Sequence, residues 1–351
     1  MLCFSQIRHK FCAPAQAKWS PERDITEMAS DAFTYIEGLH IAKCFPEDAV
    51  RSTIAYKPQP EDLFIVTYPK CGTSWMQQIV YNILMDGNVP DDKTDAVLRL
   101  PFLEIQGADA AVHALKPGAF KTHLPFWLHP YSPDARYIYV ARNPYDCCVS
   151  FYHHTRNFPM YYYENGTFDD FLDKFVNGKV DFGDYFDHLL SWYEHRNDAN
   201  VLFVTFEDIK QDTRAWILHV AEFMGDAYGA NLREDAALLD KIVEAVSFEN
   251  MKRPLNSKYD ADKTKHDTVE HSSNKDPSSE AKEWHPTLLK SLEAFKTFFA
   301  KPMKGNFARK GIVGDWKEHF SDDHVTKMKL YIASKTAGTD VMSLWPDIPV
   351  N

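Results

Sequence analysis

Short apolar runs alternate along the chain with segments in which apolar residues recur every three or four positions. The runs rich in β-branched and aromatic residues predict strands over 63–67, 137–141 and 201–205. The helical spacing predicts helices over 74–85, 184–194 and 214–224. Strands that alternate with helices are typical of α/β proteins, so we expect a central parallel sheet flanked by helices in a single domain.

Two segments differ in composition from the rest of the chain. Residues 256–283 are charged, rich in serine and almost free of aliphatic side chains, so we expect a mobile insertion there. We expect residues 1–30 to be a poorly ordered extension and 31–340 to be the folded domain. An organelle-import signal is the alternative interpretation of the basic residues in 1–21. A helix over 284–300 follows the insertion and should pack back onto the domain.

The chain as a whole is acidic. Its 351 residues include 39 lysines and arginines against 50 aspartates and glutamates, a formal net charge of −11. This balance disfavours nucleic acid or another long polyanion as the main partner, because such partners need a basic face. No run approaches the roughly 18 apolar residues of a membrane span, and the six cysteines lack the dense spacing of a disulfide framework. We therefore expect a cytoplasmic protein with no nucleic-acid or membrane partner.

The first candidate site lies where a predicted strand meets a predicted helix. The sequence TYPKCGTSW occupies 67–75, and its Gly72 lets the backbone approach a ligand closely. Lys70, Thr73 and Ser74 add a cation and two hydroxyls. Because N–H groups at a helix start attract anions, the loop predicts an anion cradle, with a structural turn as the alternative for the loop taken alone. Its lysine precedes the glycine, unlike the lysine of a Walker A loop, which disfavours an ATPase or nucleotide kinase.

A lysine and a histidine lie two residues apart in KTHLP, residues 121–125. On a strand, Lys121 and His123 would project to the same face and into one cleft. Histidine suits proton removal near neutral pH, and lysine suits the stabilisation of developing negative charge. One histidine among 15 is more commonly a surface or packed residue, so this interpretation depends on the neighbouring motifs.

Two further basic stretches complete the set. Arg142 follows the predicted strand 137–141, at the carboxyl end where open α/β sheets bind ligands, and Ser150 lies on the helix expected after it. An arginine and a hydroxyl there indicate a phosphate clamp. The stretch RKGIVGDW, residues 309–316, adds two cations beside a glycine, although taken alone it would be an exposed basic turn.

Together these motifs resemble the cytosolic sulfotransferase family, whose members use 3′-phosphoadenosine 5′-phosphosulfate (PAPS). The matching segments, in the family's order, are TYPKCGTSW (67–75), PFLE (101–104), KTHLP (121–125), YVARNPYD (139–146) with Ser150, FED (206–208), SFENM (247–251) and RKGIVGDW (309–316). The resemblance spans about residues 62–320 and implies the family's P-loop-like fold.

The resemblance also implies which residues hold PAPS, and it implies no metal ion. The loop 70–75 would hold the 5′-phosphosulfate, the basic residues of the other motifs would hold the 3′-phosphate, and Trp75 and Phe248 would enclose the adenine. The implied nucleotide-binding residues are Lys70, Cys71, Gly72, Thr73, Ser74, Trp75, Arg142, Ser150, Phe206, Phe248, Met251, Arg309, Lys310 and Gly311.

For the reaction, the resemblance implies His123 as the general base, with Lys70 and Lys121 stabilising charge. The acceptor would be a small molecule, namely a phenol, catecholamine, aryl amine or hydroxysteroid. The residues expected to contact it are Phe102, Lys121, His123, Phe126 and Phe151, joined by the tyrosine run 161–163. Three alternatives stay open: a non-catalytic nucleotide- or lipophile-binding protein on the same fold, a Golgi-type polysaccharide sulfotransferase, and a nucleotide kinase.

The chain departs from the family pattern in four places. Cys71 replaces a serine, and a thiol near a helix start is expected to have either a lowered pKa with redox sensitivity or a simple packing role. Phe206 replaces a tyrosine, and the segment between Met251 and Arg309 is longer than in the family. The family's dimer motif, KxxxTVxxxE, is poorly matched after Lys317, so both a monomer and a homodimer are expected alternatives.

Overall fold

The described part of the chain alternates strands with helices. The computed structural model describes residues 32–90, 93–257 and 284–350. Its strands are β1 (Phe33–Ile36), β2 (Leu39–Ala42), β3 (Leu63–Thr67), β4 (Phe120–Thr122), β5 (Arg136–Ala141) and β6 (Val201–Thr205). Its helices are α1 (Glu47–Ile54), α2 (Thr73–Leu84), α3 (Lys93–Arg99), α4 (Leu103–Gln106), α5 (Ala108–Val112), α6 (Pro144–Asn157), α7 (Phe168–Val176), α8 (Tyr185–Tyr193), α9 (Phe206–Gln211), α10 (Thr213–Met224), α11 (Asp226–Glu234), α12 (Ala236–Ala245), α13 (Phe248–Ser257), α14 (Pro286–Phe298) and α15 (Asp322–Thr336). Short 3-10 helices lie at Pro159–Tyr161, Asp315–Glu318 and Val341–Leu344.

A parallel sheet in the order β4–β3–β5–β6 forms the centre of the molecule, and β1 and β2 pair as a separate antiparallel hairpin. The predicted strands correspond to β3, β5 and β6, and the predicted helices to α2, α8 and α10, each within one residue at either end. The predicted α/β class is therefore confirmed. β4 has only three residues, too few to produce a periodic pattern in the sequence.

Both faces of the sheet are buried, as is usual for parallel strands. On one face Phe64 and Tyr139 pack with side chains of α6 and α8. On the other face Ile65 and Val140 pack with side chains of α2 and α10. The alternation follows from the two-residue period of a strand, and it explains why these strands are almost continuously apolar.

The connections of β3 and β5 place a crevice at the carboxyl edge of the sheet. These neighbouring strands continue into α2 and α6, which pack on opposite faces. Such a switch point between neighbouring strands is where open α/β sheets bind ligands. Val66 pairs with Thr122 on one side and with Tyr139 on the other. The residues that follow β3, β4 and β5 therefore come out at the same edge.

Several sequence predictions concern segments at the limits of this description. The predicted extension 1–30 lies outside the described residues, as does the predicted insertion 256–283 except for residues 256 and 257, which end α13. The helix expected over 284–300 is present as α14. Among the described residues, none of the helices combines the length and the hydropathy that crossing a bilayer requires.

Candidate active site

A cavity opens at the carboxyl edge of the sheet and is lined by two kinds of side chain. The cationic and polar ones include Lys70, Thr73, Ser74, Lys121, His123, Arg142, Ser150, Arg309 and Lys310. The aromatic ones include Phe45, Trp75, Phe102, Phe158, Tyr161, Phe182, Phe206, Phe248, Phe298, Phe299 and Phe307. Every predicted site residue lines this cavity except Cys71, Phe126, Phe151, Tyr162 and Tyr163.

Two residues of the loop between β3 and α2 have left-handed backbone conformations. Lys70 has φ +70° and Gly72 has φ +110°, and α2 begins directly afterwards with no side-chain cap from the described residues. The first N–H groups of α2 are therefore available to an anion. The hydroxyls of Thr67 and Thr73 lie 2.6 Å apart and tie the strand end to the helix start.

The two lysines of the cavity each lie over an aromatic ring. The Nζ atom of Lys70 is 4.2 Å from the ring centre of Phe307, and that of Lys121 is 3.7 Å from the ring centre of Phe102. Such contacts hold a cation on an apolar wall. Burial, and then the positive charge of Arg142, lower the pKa of Lys70 to about 8. Lys70 is therefore still protonated at neutral pH but close to its titration range.

His123 is held in one tautomer. Its Nδ1–H donates to the backbone oxygen of Thr67 at 2.7 Å, which leaves Nε2 as the nitrogen with a free electron pair. The rings of Phe102 and Phe182 contact the imidazole edge-on, with centroids 5.1 Å and 5.2 Å away. Burial, and then the charge of Lys121, lower the pKa of His123 well below its usual value. The imidazole is thus neutral at pH 7 and able to take a proton.

A buried carboxylate behind His123 was not assigned a role from the sequence. Glu104 accepts hydrogen bonds from the backbone N–H of His123 at 2.6 Å and from the hydroxyl of Thr122 at 2.7 Å. Burial raises the pKa of Glu104 to about 7. Its signal in the sequence was an acidic residue in the matched PFLE segment, flanked by the apolar Leu103 and Ile105. Glu104 positions the backbone that carries the histidine.

Arg142 contacts the loop, and part of its guanidinium is unsatisfied. It donates to the backbone oxygens of Lys70 at 3.3 Å and Ile312 at 3.2 Å, and it lies 4.5 Å over the ring centre of Phe206. Its Nε is buried and has no hydrogen-bond partner among the described residues. A buried unpaired donor is costly, and an anionic oxygen would satisfy it.

The basic residues of the C-terminal motif are held by a buried carboxylate. Arg309 and Lys310 both form ion pairs with Asp315, the second at 2.7 Å. Burial, and then repulsion from Arg142, lower the pKa of Arg309. Lys310 also pairs with Glu318. Three cations thus meet at one end of the cavity, and two carboxylates pair with two of them.

Two more carboxylates missed from the sequence fix this end of the cavity. Asp146 accepts from the backbone N–H groups of Gly314 at 2.7 Å and Trp316 at 2.9 Å, which ties the C-terminal motif to the start of α6. Glu207 accepts from the backbone N–H of Asn143 at 3.1 Å and from the side-chain amide of the same residue at 2.6 Å. Both acids lie within matched segments, but only the fold shows which backbone groups they bind.

Comparison with known proteins agrees with this geometry. Residues 60–307 match the family model described as a sulfotransferase domain. Sulfotransferase 1C2 of Rattus norvegicus is 35% identical over 297 residues, which cover 82% of this chain and 86% of the relative. Amine sulfotransferase of Oryctolagus cuniculus is 35% identical over 272 residues, covering 76% and 77%. The chain belongs to the sulfotransferase family.

Solved structures of a sulfotransferase and of a retinol dehydratase share the fold. The mouse sulfotransferase SULT7A1, complexed with PAP, matches with a TM-score of 0.63 at 24% identity over 89% of this chain and 97% of that one. Retinol dehydratase in complex with androsterone and the inactive cofactor PAP matches with a TM-score of 0.64 at 20% identity, over 92% and 96%. The family, the enzyme class and the P-loop-like fold that the motifs implied are therefore confirmed.

Two residues predicted to contact the acceptor do not lie at the cavity of this sulfotransferase. Phe126 stacks on His195, with ring centroids 3.5 Å apart, and packs on Trp192. Phe151 is fully buried against Tyr68, because one residue along a helix turns the side chain about 100° away from the direction of its neighbour Ser150. Neither ring is retained among the acceptor contacts. Of the tyrosine run, only residue 161 lines the cavity.

The placement of Cys71 distinguishes the two alternatives expected for it. Its thiol is fully buried, 3.6 Å from the sulfur of Cys147, and its backbone N–H donates to the oxygen of Tyr68. Burial raises the pKa of the Cys71 thiol, so the prediction of a lowered pKa at the helix start is wrong. The thiol points into the core between loop and α6, and the packing alternative describes it.

Proposed function

We propose that this sulfotransferase transfers a sulfuryl group from PAPS to the hydroxyl or amine of a small acceptor, with His123 as general base. The observation that carries the proposal is the cavity itself. One end of the cavity is lined by a neutral histidine of fixed tautomer, together with Lys70 and Lys121. The same cavity extends to the cations Arg142, Arg309 and Lys310. The membership in the family and the PAP bound in related structures support it.

The residues present fit a nucleotide that is anionic at both ends. The turn at Lys70 and Gly72, with the start of α2, would hold the 5′-phosphosulfate. At the other end, the unpaired Nε of Arg142, together with Ser150 and the Arg309–Gly311 segment, would hold the 3′-phosphate. Because ATP lacks a 3′-phosphate, this second clamp selects against it.

The side chains between these ends suit the adenine. Trp75 and Phe248 both line the cavity, and the indole N–H of Trp75 donates to the backbone oxygen of Val246 at 3.0 Å. That bond fixes the plane of the indole ring. Phe206, the residue that replaces a tyrosine, lies edge-on to Trp75 with centroids 5.2 Å apart. It supplies apolar contact here, and the guanidinium of Arg142 also stacks on its ring.

In the proposed step, the oxygen or nitrogen of the acceptor forms a bond to sulfur as the bond from sulfur to the phosphate oxygen breaks. The proton of the acceptor moves to Nε2 of His123, and the electron pair of the broken bond leaves on PAP. Lys70 and Lys121 stabilise the charge on the bridging and sulfuryl oxygens. The Thr67 carbonyl stabilises the imidazolium that results, since it accepts from the opposite nitrogen.

The aromatic wall supports a small apolar acceptor such as a phenol, catecholamine, aryl amine or hydroxysteroid. Phe102 and Phe182 flank His123 and would position a flat ring against it. The non-catalytic binding protein is the alternative, and it does not account for a histidine fixed in its basic tautomer beside two lysines. Turnover distinguishes the two hypotheses.

We propose the cytoplasm as the compartment. The six cysteines lack the dense spacing of a disulfide framework, which fits a reducing environment. Whether the protein is a monomer or a homodimer stays a prediction with two alternatives.

The central test is transfer of sulfur-35 from labelled PAPS to a panel of phenols, catecholamines, aryl amines and hydroxysteroids. Replacing His123→Ala should lower kcat about 10²–10⁴-fold, because proton removal is lost. The affinity for PAP, measured by calorimetry, should stay within about threefold of wild type, a change under 1 kcal/mol.

The matched control is His219→Ala, on an exposed histidine of α10, which should retain full activity. Full activity in the His123 variant would refute the base, and PAP binding without transfer by wild type would favour the alternative.

Titration of Lys70 should appear in the pH profile of kcat/KM for PAPS. Because the cation binds the anionic end and its pKa in the free enzyme is about 8, kcat/KM should be level below that pH and fall above it. Arginine stays protonated throughout, so Lys70→Arg should remove this decline, whereas Lys121→Arg should keep it. An identical decline in all three proteins would contradict the assignment.

Gly311 should be needed for the nucleotide clamp. It has φ +63°, and a Cβ there would lie 2.4 Å from Cδ2 of Phe248, so Gly311→Ala must displace either the ring or the basic segment. We expect PAP affinity by calorimetry to fall about tenfold or more, a change of about 1.4 kcal/mol or more, because that displacement disturbs the proposed nucleotide contacts. Gly338→Ala is the matched control, since its φ is +82° but a Cβ would meet nothing within 4 Å. Equal loss in both variants would show backbone strain alone.

A further inference from the structure

One face of α6 carries more polar groups into the cavity than the proposed reaction uses. Ser150, His153, His154 and Asn157 follow helical spacing, and all four line the cavity. His154 lies one turn beyond Ser150 and packs against the rings of Phe158 and Phe307, with centroids 4.6 Å and 6.3 Å away. An imidazole in such an aromatic wall needs a polar partner.

A chain of hydrogen bonds behind His154 fixes which of its nitrogens carries the proton. The buried carboxylate of Asp181 accepts from the backbone N–H of Ala42 at 2.9 Å and from the hydroxyl of Tyr161 at 2.8 Å. Because the single hydroxyl proton of Tyr161 goes to Asp181, its oxygen accepts at the 3.4 Å contact with Nε2 of His154. Nε2 is therefore protonated, and Nδ1 is left as an acceptor.

This Nδ1 is buried and has no hydrogen-bond partner among the described residues. Burial, and then electrostatic interaction with Lys70, Lys121 and His123, lower the pKa of His154, so the ring is neutral and its acceptor stays unprotonated. The same interactions show that His154 lies within electrostatic reach of the proposed base and its lysines. An unsatisfied acceptor at that place would be satisfied by a donor on the molecule that fills the cavity.

We propose that Nδ1 of His154 accepts a hydrogen bond from a second polar group of the acceptor molecule, and that the enzyme thereby selects acceptors with two hydrogen-bond donors, such as catechols and aminophenols, over those with one. The inference rests on the proposed function, since the first donor is the group that receives the sulfuryl. Tyr161 and Asp181 are positioning residues, which act by holding the tautomer of His154.

The test compares matched acceptors that differ by one hydroxyl, 4-methylcatechol and 4-methylphenol, with labelled PAPS and purified full-length protein. The readout is the ratio of their kcat/KM values, so that differences intrinsic to the acceptors cancel between variants. His154→Phe keeps the ring and removes the nitrogen, and it should lower the catechol-to-phenol ratio about 5- to 30-fold, the effect of one buried hydrogen bond. His154→Asn keeps an acceptor near the position of Nδ1 and should retain most of the preference.

A second pair of variants tests the tautomer. Tyr161→Phe removes the hydroxyl that fixes Nε2–H and should also lower the ratio, whereas Tyr163→Phe should not change it. Tyr163 is a matched control because its hydroxyl also donates to an aspartate, Asp170, but outside the cavity. An unchanged ratio in His154→Phe, or a wild type that prefers the monohydric phenol, would overturn the inference. Absence of transfer to every acceptor of the panel would instead overturn the proposed function.

Discussion

Three strand ends meet at one point because β3 pairs in parallel with β4 on one side and with β5 on the other. This register sets the position of the loop after β3, of His123 after β4 and of Arg142 after β5. At the end of β3 the ladder stops, and the carbonyl of Thr67 accepts from His123. A slip of β4 by one residue would turn Lys121 and His123 to the opposite face of the sheet. The chemistry of the cavity therefore depends on backbone pairing before it depends on any one side chain.

The chain is acidic although its cavity is basic, because buried carboxylates pair with the cavity's cations or hydrogen-bond to the backbone that carries them. Asp315 pairs with Arg309 and Lys310, while Asp146 fixes the backbone of the same motif. Glu104 does the same for the segment that carries His123. These carboxylates are buried and neutralise local charge only in part, so the cavity keeps an unsatisfied positive character that the net charge of the chain conceals.

The sequence was most informative where one segment forms a complete structure by itself. Apolar periodicity located β3 and α2, and the motif between them located the anion cradle, since all of its parts are consecutive. The sequence was least informative about the direction in which a side chain points, towards the cavity or into the core. Ser150 and Phe151 are adjacent, yet one lines the cavity and the other fills the core. Cys71 stands in the cradle motif, but its side chain turns inward because the loop must pack on α6.

Residues brought together from distant segments left no trace in the pattern of the chain. His154 lies on α6, Tyr161 follows it, and Asp181 comes from the connection before α8. Each is an ordinary polar residue in its own segment, and only the fold brings the three together through hydrogen bonds. The same is true of Asp146 and Gly314, which are far apart in sequence. Long-range pairing of this kind is decided by tertiary packing, which periodicity does not describe.

The position of Trp75 gives the protein an optical property. Among the described residues, this is the tryptophan that lines the cavity, while Trp192 is fully buried in the core and Trp127 is exposed on the surface. Its indole is half-buried and fixed by the bond to Val246. A purine that stacks beside it would change the surroundings of this indole more directly than those of the tryptophans that do not line the cavity. A nucleotide bound there would thus alter one contribution to the intrinsic emission of a chain with eight tryptophans, without any added label.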